Sequence, residues 1–398
     1  MAEHITKGST EKILVRILSA ITLICAVIVV MLPCGSAFNM GAYYGGAADA
    51  DDTDLQTKPA LTEPVHEQDD PKDDKPIQPP ERVDIILDGK GEVPYNTLYN
   101  YVKENPGLGK LSSPETTISA AEYVSLCEMN PSAEITVKVD YQGIVIDPAL
   151  DEVDFSENII ADKALFAKVL DRFPKKMKFV MCDCGYTNEE MGALRETYPG
   201  HEFAWRIYMG EWDLRTDDEA FSVMIVDDDH VRLKSEDIEV LRYCTNLYAL
   251  DLGHQELTDL TVIGELTDLR VLILADNLIT DVSPLANLKN LQYLELFVNR
   301  ISDLTPIAEC TELVDLNFGW NAIFDISCIY SLEKIERLWL PHTYIYTGRW
   351  DEVKAEFPGA QIVFEDKDSI SSGWRTHERY FLMRGMFNMN KYNPDFVK

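Results

Sequence analysis

Apolar positions recur every 22 residues through the second half of the chain. Leu247, Leu269, Leu291, Leu313 and Ile335 form one column. Leu250, Leu272, Leu294, Leu316 and Leu338 form the next, and Leu252, Leu274, Leu296, Phe318 and Leu340 a third. Leu257, Ile279, Ile301, Ile323 and Ile345 form a fourth. A fixed period of this length, carrying L-x-x-L-x-L-x-x-N-x-L, predicts stacked leucine-rich repeats. Strand side chains alternate between faces, so the L-x-L step turns its leucines inward from a short strand. One such coil cannot bury its own apolar face, and stacked neighbours must cover it. The predicted fold is an α/β solenoid, a right-handed leucine-rich-repeat superhelix with a parallel sheet on the concave side, over residues 231–365.

A polar column accompanies the apolar ones: Gln255, Asn277, Asn299, Asn321 and Thr343. An amide there can bond the backbone where the chain leaves the strand, so buried polar groups find partners. Asn277, Asn299 and Asn321 are the expected structural ladder, and the substitutes at its ends suit a solenoid of about five full coils. Pro284 and Pro306 follow the turn, where a missing N–H is tolerated on the return side.

The stretch "LRVLILADNLITDVSPLANLKN" resembles the 22-residue repeat of internalin-like bacterial surface proteins, over residues 236 to about 346. That resemblance implies a curved solenoid that binds a partner protein on its concave face. "CGYTNEEMGALRETYPGHEFAWRI" and "GWRTHERYFLMRGMF" look like leucine-rich-repeat proteins of gut-type clostridial bacteria, which are mostly uncharacterised. The chain departs from wall-anchored internalins in showing no LPxTG-type sorting motif and no repeated wall-binding module.

Residues 82–230 carry a weaker duplication. "ISAAEYVSLCEMNPSAEITVKVDYQGIVI" (118–146) aligns with "YTNEEMGALRETYPGHEFAWRIYMGEWDL" (186–214) at an offset of 68. Each copy reads as a short helix, a proline break and an alternating hairpin. Strand-like starts about 24–26 residues apart predict irregular repeats joined edge to edge with the regular ones, capping the solenoid's N-terminal end. A separate α+β domain is the alternative. The tail, 366–398, is expected to cover an open solenoid end or an aromatic patch.

Residues 17–32, "ILSAITLICAVIVVML", form an uncharged apolar run behind Lys7, Lys12 and Arg16. That layout predicts an export signal or membrane anchor over residues 1–37, with membrane contact through this run alone. Cleavage after Ala37 and retention as an anchor both fit. Residues 38–81, rich in Asp, Pro, Ala and Gly, read as a disordered acidic stalk. The expected location is extracellular or at the cell surface.

A net charge of −32 disfavours nucleic acid and anionic membrane surfaces as partners. Cys244 and Cys310 share a column three coils apart, roughly 14–15 Å at the strand spacing. A disulfide needs about 7 Å or less, so both read as buried free thiols, as do Cys182 and Cys184. "VDDDH" at 226–230 lacks the spacing and glycine of a calcium loop. No G-x-S-x-G, H-E-x-x-H or phosphate loop is present. No catalytic residue, metal site or cofactor is expected.

The strand positions outside the buried columns therefore carry the functional expectation. Tyr293, Glu295, Phe297, Asp315, Asn317, Trp320, Arg337, Trp339 and His342 combine aromatics, arginine and carboxylates, the composition of protein-binding hot spots. A monomer that binds a protein or peptide through its concave face is the primary reading. An envelope-organising scaffold, its aromatic patch covered by the tail, is the second. A carbohydrate-active enzyme, which requires two carboxylates about 5–10 Å apart in one pocket, is the third.

Overall fold

A computed structural model describes residues 82–223, 231–367, 370–371 and 373–397. The expected signal, the stalk and the "VDDDH" loop lie outside the described residues. The expected membrane contact through residues 17–32 is corrected. No helix among the described residues is long and apolar enough to cross a membrane, and the run itself is not among them.

Residues 82–215 contain one unit twice. The first copy comprises β1 (Val83–Ile86), α1 (Tyr95–Glu104), β2 (Leu108–Ser119), α2 (Ala120–Met129), β3 (Glu134–Tyr141) and β4 (Ile144–Ile146). The second comprises β5 (Glu152–Asp154), α3 (Lys163–Leu170), β6 (Lys178–Val180), α4 (Asn188–Thr197), β7 (Glu202–Ala204), β8 (Arg206–Met209) and β9 (Trp212–Arg215). The sequence offset of 68 carries α1 onto α3, α2 onto α4 and β4 onto β9. The helix starts match in detail. Ser119 with Glu122, and Thr187 with Glu190, each form a reciprocal capping box. Both copies then close a two-residue hairpin, pairing Tyr141 with Ile144 and Met209 with Trp212. Gly210 turns the second at φ 58°, a left-handed value that glycine adopts without steric cost.

The solenoid follows. Its parallel sheet has seven strands: β10 (Ala220–Ser222), β11 (Ala249–Asp251), β12 (Val271–Ile273), β13 (Tyr293–Glu295), β14 (Asp315–Asn317), β15 (Arg337–Trp339) and β16 (Gln361–Val363). Two short helices, α5 (Thr261–Glu265) and α6 (Trp350–Glu356), lie on the return side, and α7 (Glu378–Met389) follows the sheet. The fold is a leucine-rich-repeat solenoid. The four apolar columns fill its core, every member being 7% exposed or less. The sheet extends one strand beyond the regular register at each end. Ala220 pairs with Ala249 and Arg337 with Gln361, so the end coils depart from the 22-residue pitch.

Each amide of the polar column staples two coils. Asn299 Oδ1 accepts from Ile279 N at 3.1 Å, and its Nδ2 donates to Leu274 O and Leu296 O at 2.9 and 3.0 Å. Asn277 and Asn321 repeat this pattern with Leu257 N and Ile301 N. A second column, Asp259, Asp281, Asp303 and Asp325, opens the return turns. Each carboxylate accepts from the backbone N–H two residues on, at 2.8–3.0 Å. These are Asx-turns, which fix a loop locally.

The duplicated region does not share a sheet with the solenoid. Among the described residues its strands form sheets of four, three and two. The join is made instead by one apolar core running from Leu98 to Phe357. At the junction Arg195 stacks 4.4 Å over the Trp205 ring and donates to Tyr243 O at 2.9 Å. Aromatic and guanidinium groups thus replace the ladder bonds of an edge-to-edge join.

Candidate functional site

On the concave face the strand residues either side of the buried leucines form two columns. One reads Ala249, Val271, Tyr293, Asp315, Arg337; the other reads Asp251, Ile273, Glu295, Asn317, Trp339. The chain covers much of this face with its own C-terminal segment. Trp374 packs against Tyr293 and Trp339, with ring centroids 5.4 and 5.0 Å away. Its indole N–H donates to Glu295 Oε1 at 2.8 Å, and its carbonyl accepts from Arg337 Nη1 at 3.2 Å. The Arg337 guanidinium lies 4.4 Å from the Trp374 ring centre.

The same segment completes a buried ionic group. Arg337 grips Asp315 with two bonds, at 2.9 and 2.6 Å, and Arg379 adds a third at 2.9 Å. A buried charge pair is tolerated when its remaining donors and acceptors are satisfied, and here the tail supplies partners on both sides. Beyond α7 the chain reaches the first strand. Glu219 N donates to Asn390 O at 3.2 Å, Tyr392 N donates to Glu219 Oε2 at 3.1 Å, and the Tyr392 ring packs 5.3 Å from Tyr248. The tail is a strap running back along the sheet from its last strand to its first.

This corrects the expected exposure of the concave residues. Tyr293, Glu295, Phe297, Asp315, Asn317, Arg337 and Trp339 are at most 4% exposed. The physical reason is that an aromatic and ionic surface demands a complement, and residues 366–397 supply it. The tail's Trp374, Met383, Met386, Phe387 and Phe396 are buried against it. The structure thus brings seven of the nine residues together as an internal interface. Trp320, 44% exposed, and His342, also exposed, remain at its edge.

Beside the strap lies a cavity of about 260 Å³, lined by Asp251, Glu295, Phe297, Arg375, Tyr380 and Arg384 among others. Burial raises both carboxyls above their ordinary values. Asp251 accepts from Ser222 Oγ at 2.8 Å and Gly253 N at 3.0 Å. Glu295 accepts from Tyr293 and Trp374. Both carboxylates thus serve as acceptors for the protein's own groups. Among the described residues no group of three or more His, Cys, Asp or Glu is placed to hold a metal ion. Six described cysteines are free, and burial raises the Cys244 and Cys310 thiols to about 12.

The sequence reading placed Trp320 and His342 on the concave face; they belong instead to a rim where each strand ends. His254, Asp276, Val298, Trp320 and His342 all have left-handed backbone, φ 53–62°. This conformation is uncommon outside glycine and unfavourable for a β-branched residue such as Val298. Each of the five directly precedes a member of the polar column, Gln255, Asn277, Asn299, Asn321 or Thr343. The side chains facing outward along this rim change character along the solenoid. At its start His254 pairs with Asp276 at 2.9 Å, beside Glu256, Thr258 and Thr280. At its end five rings gather on two adjacent coils. Trp320 and His342 lie 3.9 Å apart, and Phe324 stacks on Tyr344 at 5.0 Å with 14° between planes. Phe324, Tyr344 and Tyr346 are 63%, 64% and 73% exposed. The signal was present at the 22-residue offset from Trp320 to His342 and Phe324 to Tyr346, in columns that hold no apolar consensus.

No curated protein matches the chain. Similar solved structures include an internalin (inlF) of Listeria monocytogenes, 19% identical, covering 66% of this chain and 75% of that one with a TM-score of 0.36. An internalin C2 (inlC2) of the same organism is 27% identical, covering 39% and 76%, at 0.30. A leucine-rich-repeat protein of Leptospira interrogans is 17% identical, covering 69% and 75%, at 0.32. Residues 267–309 match the family model described as Leucine Rich repeats (2 copies).

Proposed function

We propose that this chain is an exported, non-catalytic protein-binding module that docks its partner on the aromatic rim of its last coils. The observation that carries this is the exposure of Trp320, His342, Phe324, Tyr344 and Tyr346 together on two coils. Clustered exposed aromatic side chains mark interaction sites, and Trp and Tyr are enriched among binding hot spots. The concave face, by contrast, already has an intramolecular occupant. The internal hydrogen bonds of Asp251 and Glu295 support a structural rather than a catalytic role for the cavity carboxylates.

The test compares proteins recovered from the native host's extracellular and surface fractions by three forms of the chain. These are the parent, the rim variant Trp320→Asn/Tyr344→Ala, and Leu150→Ala at a distant exposed position. Asparagine is chosen at 320 because it tolerates a positive φ. The expected result is a partner retained by the parent and Leu150→Ala and lost by the rim variant, whose unfolding midpoint stays unchanged. A set of partners indifferent to the rim variant would overturn the docking site.

A further inference from the structure

We infer that the rim recognises cationic side chains, arginine or lysine, on a partner polypeptide; this rests on the docking reading above. The rings present faces. Phe324 and Tyr344 are stacked with 14° between planes, Trp320 and His342 are tilted by 32°, and Trp320, Phe324 and Tyr344 are 44%, 63% and 64% exposed. A π face attracts a cation through its quadrupole, with tryptophan the strongest of the three aromatic types.

Two carboxylates lie beside the rings, and of these Asp303 carries the uncompensated charge. Asp303 and Asp325 adjoin the column of Phe324, on neighbouring coils. Bonds from Thr305 hold the Asp303 carboxyl below its ordinary value, so it is ionised at neutral pH. Among the described residues no ion pair neutralises it, and Thr305 supplies its bonds. Bonds from Ser327 and Arg349 lower the Asp325 pKa to about 2, and the Arg349 ion pair offsets its charge. The whole chain adds a net charge of −32, which favours approach of a basic segment over long range.

A glycan is the other occupant that aromatic platforms suit, and the polar groups here argue against it. Sugar hydroxyls need convergent donors and acceptors beside the ring. The His342 Nε2 is taken by Asp366 O at 3.0 Å, and Asp325 is taken by Arg349 and Ser327. Ring surface, the Tyr344 and Tyr346 hydroxyls and the Asp303 carboxylate remain, and that negative charge favours a cation over a neutral sugar.

The experiment titrates the whole chain into a fluorescein-labelled peptide of alternating Gly and Arg, read by anisotropy, beside the same peptide with Gln for Arg. The expected result is binding of the Arg peptide alone. Binding should be about tenfold weaker in Trp320→Asn/Tyr344→Ala, weaker also in Asp303→Asn, and unchanged in Leu150→Ala. Equal binding of the Gln peptide, or competition by a neutral oligosaccharide, overturns cation recognition and leaves the docking site standing. Equal binding of the Arg peptide by the rim variant shows attraction to the acidic chain at large and overturns the inference. So does the absence of any binding. The docking reading fails separately, when host partners are retained by the rim variant.

Discussion

Glu295 is a carboxyl with almost no access to water, held by the Tyr293 hydroxyl and the Trp374 indole. Burial raises its pKa above the ordinary value. The folded chain therefore holds this proton more tightly than the unfolded chain does. By linkage, its contribution is most favourable below the unfolded pKa and is lost as pH rises through the folded one. Asp251 shifts in the same direction for the same cause. Gln at 295 keeps the acceptor oxygen and removes the charge. Glu295→Gln is expected to unfold at higher urea than the parent at about pH 8, and to lose less stability than the parent between about pH 5 and pH 8. A midpoint lower than the parent's at both pH values would show that the carboxylate is favourable where it lies. Trp374 tests the same contact from the other side. Trp374→Phe loses the indole bond and is expected to cost about 1–3 kcal/mol, and Trp374→Ala about 3–5 kcal/mol, both read from urea unfolding.

At the scale of the element, the repeating coil is held by amides as much as by leucines. Asn299→Ala would leave Ile279 N–H without its acceptor, in a coil whose neighbours cannot move to replace it. A loss of about 1–3 kcal/mol is expected, with the Ile279 amide exchanging its hydrogen faster than the same amide in the parent. The duplicated helices offer a paired test. Ser119→Ala and Thr187→Ala each break one capping box and should each cost about 1 kcal/mol; a large difference between them would mean that the two copies are not mechanically alike. These elements were legible because they are periodic. The leucine columns share a residue type at a fixed pitch, and the 68-residue offset aligned the two helix starts whose capping boxes the structure shows. Strands β10 and β16 escaped because their coils break the pitch. The left-handed rim escaped for another reason. His254, Asp276, Val298, Trp320 and His342 share a backbone conformation and no side-chain chemistry.

At the scale of the whole molecule, the strap is the feature that local pattern could not place. Trp374 meets Glu295 across 79 residues, and aromatic composition reads the same whether a partner or the chain's own tail covers it. Strand alternation brings seven of the nine named residues onto one face, and the sequence offered the tail as a cover for either an open solenoid end or an aromatic patch without deciding between them. Ending the chain after residue 365 would uncover Tyr293, Trp339 and the Arg337–Asp315 pair. Losing five buried tail side chains is expected to lower stability by about 5 kcal/mol or more. Urea unfolding reads that loss, and a hydrophobic dye should then bind the folded fraction; an unchanged midpoint without dye binding would show that the strap is dispensable.

Because the strap is fastened near both ends of the sheet, at Trp339 and His342 by Ser371 and Asp366 and at Glu219 by Asn390 and Tyr392, the length of the solenoid is no longer free. An open repeat array can gain or lose a coil by duplication or deletion, each step moving its ends by about 4.8 Å. Here the same step would pull Tyr392 away from Glu219, or shift Trp374 out of register with Glu295. Descendants of this chain that change their repeat number must therefore change the tail by a matching length, so the count of coils and the span of residues 366–397 are inherited as one character.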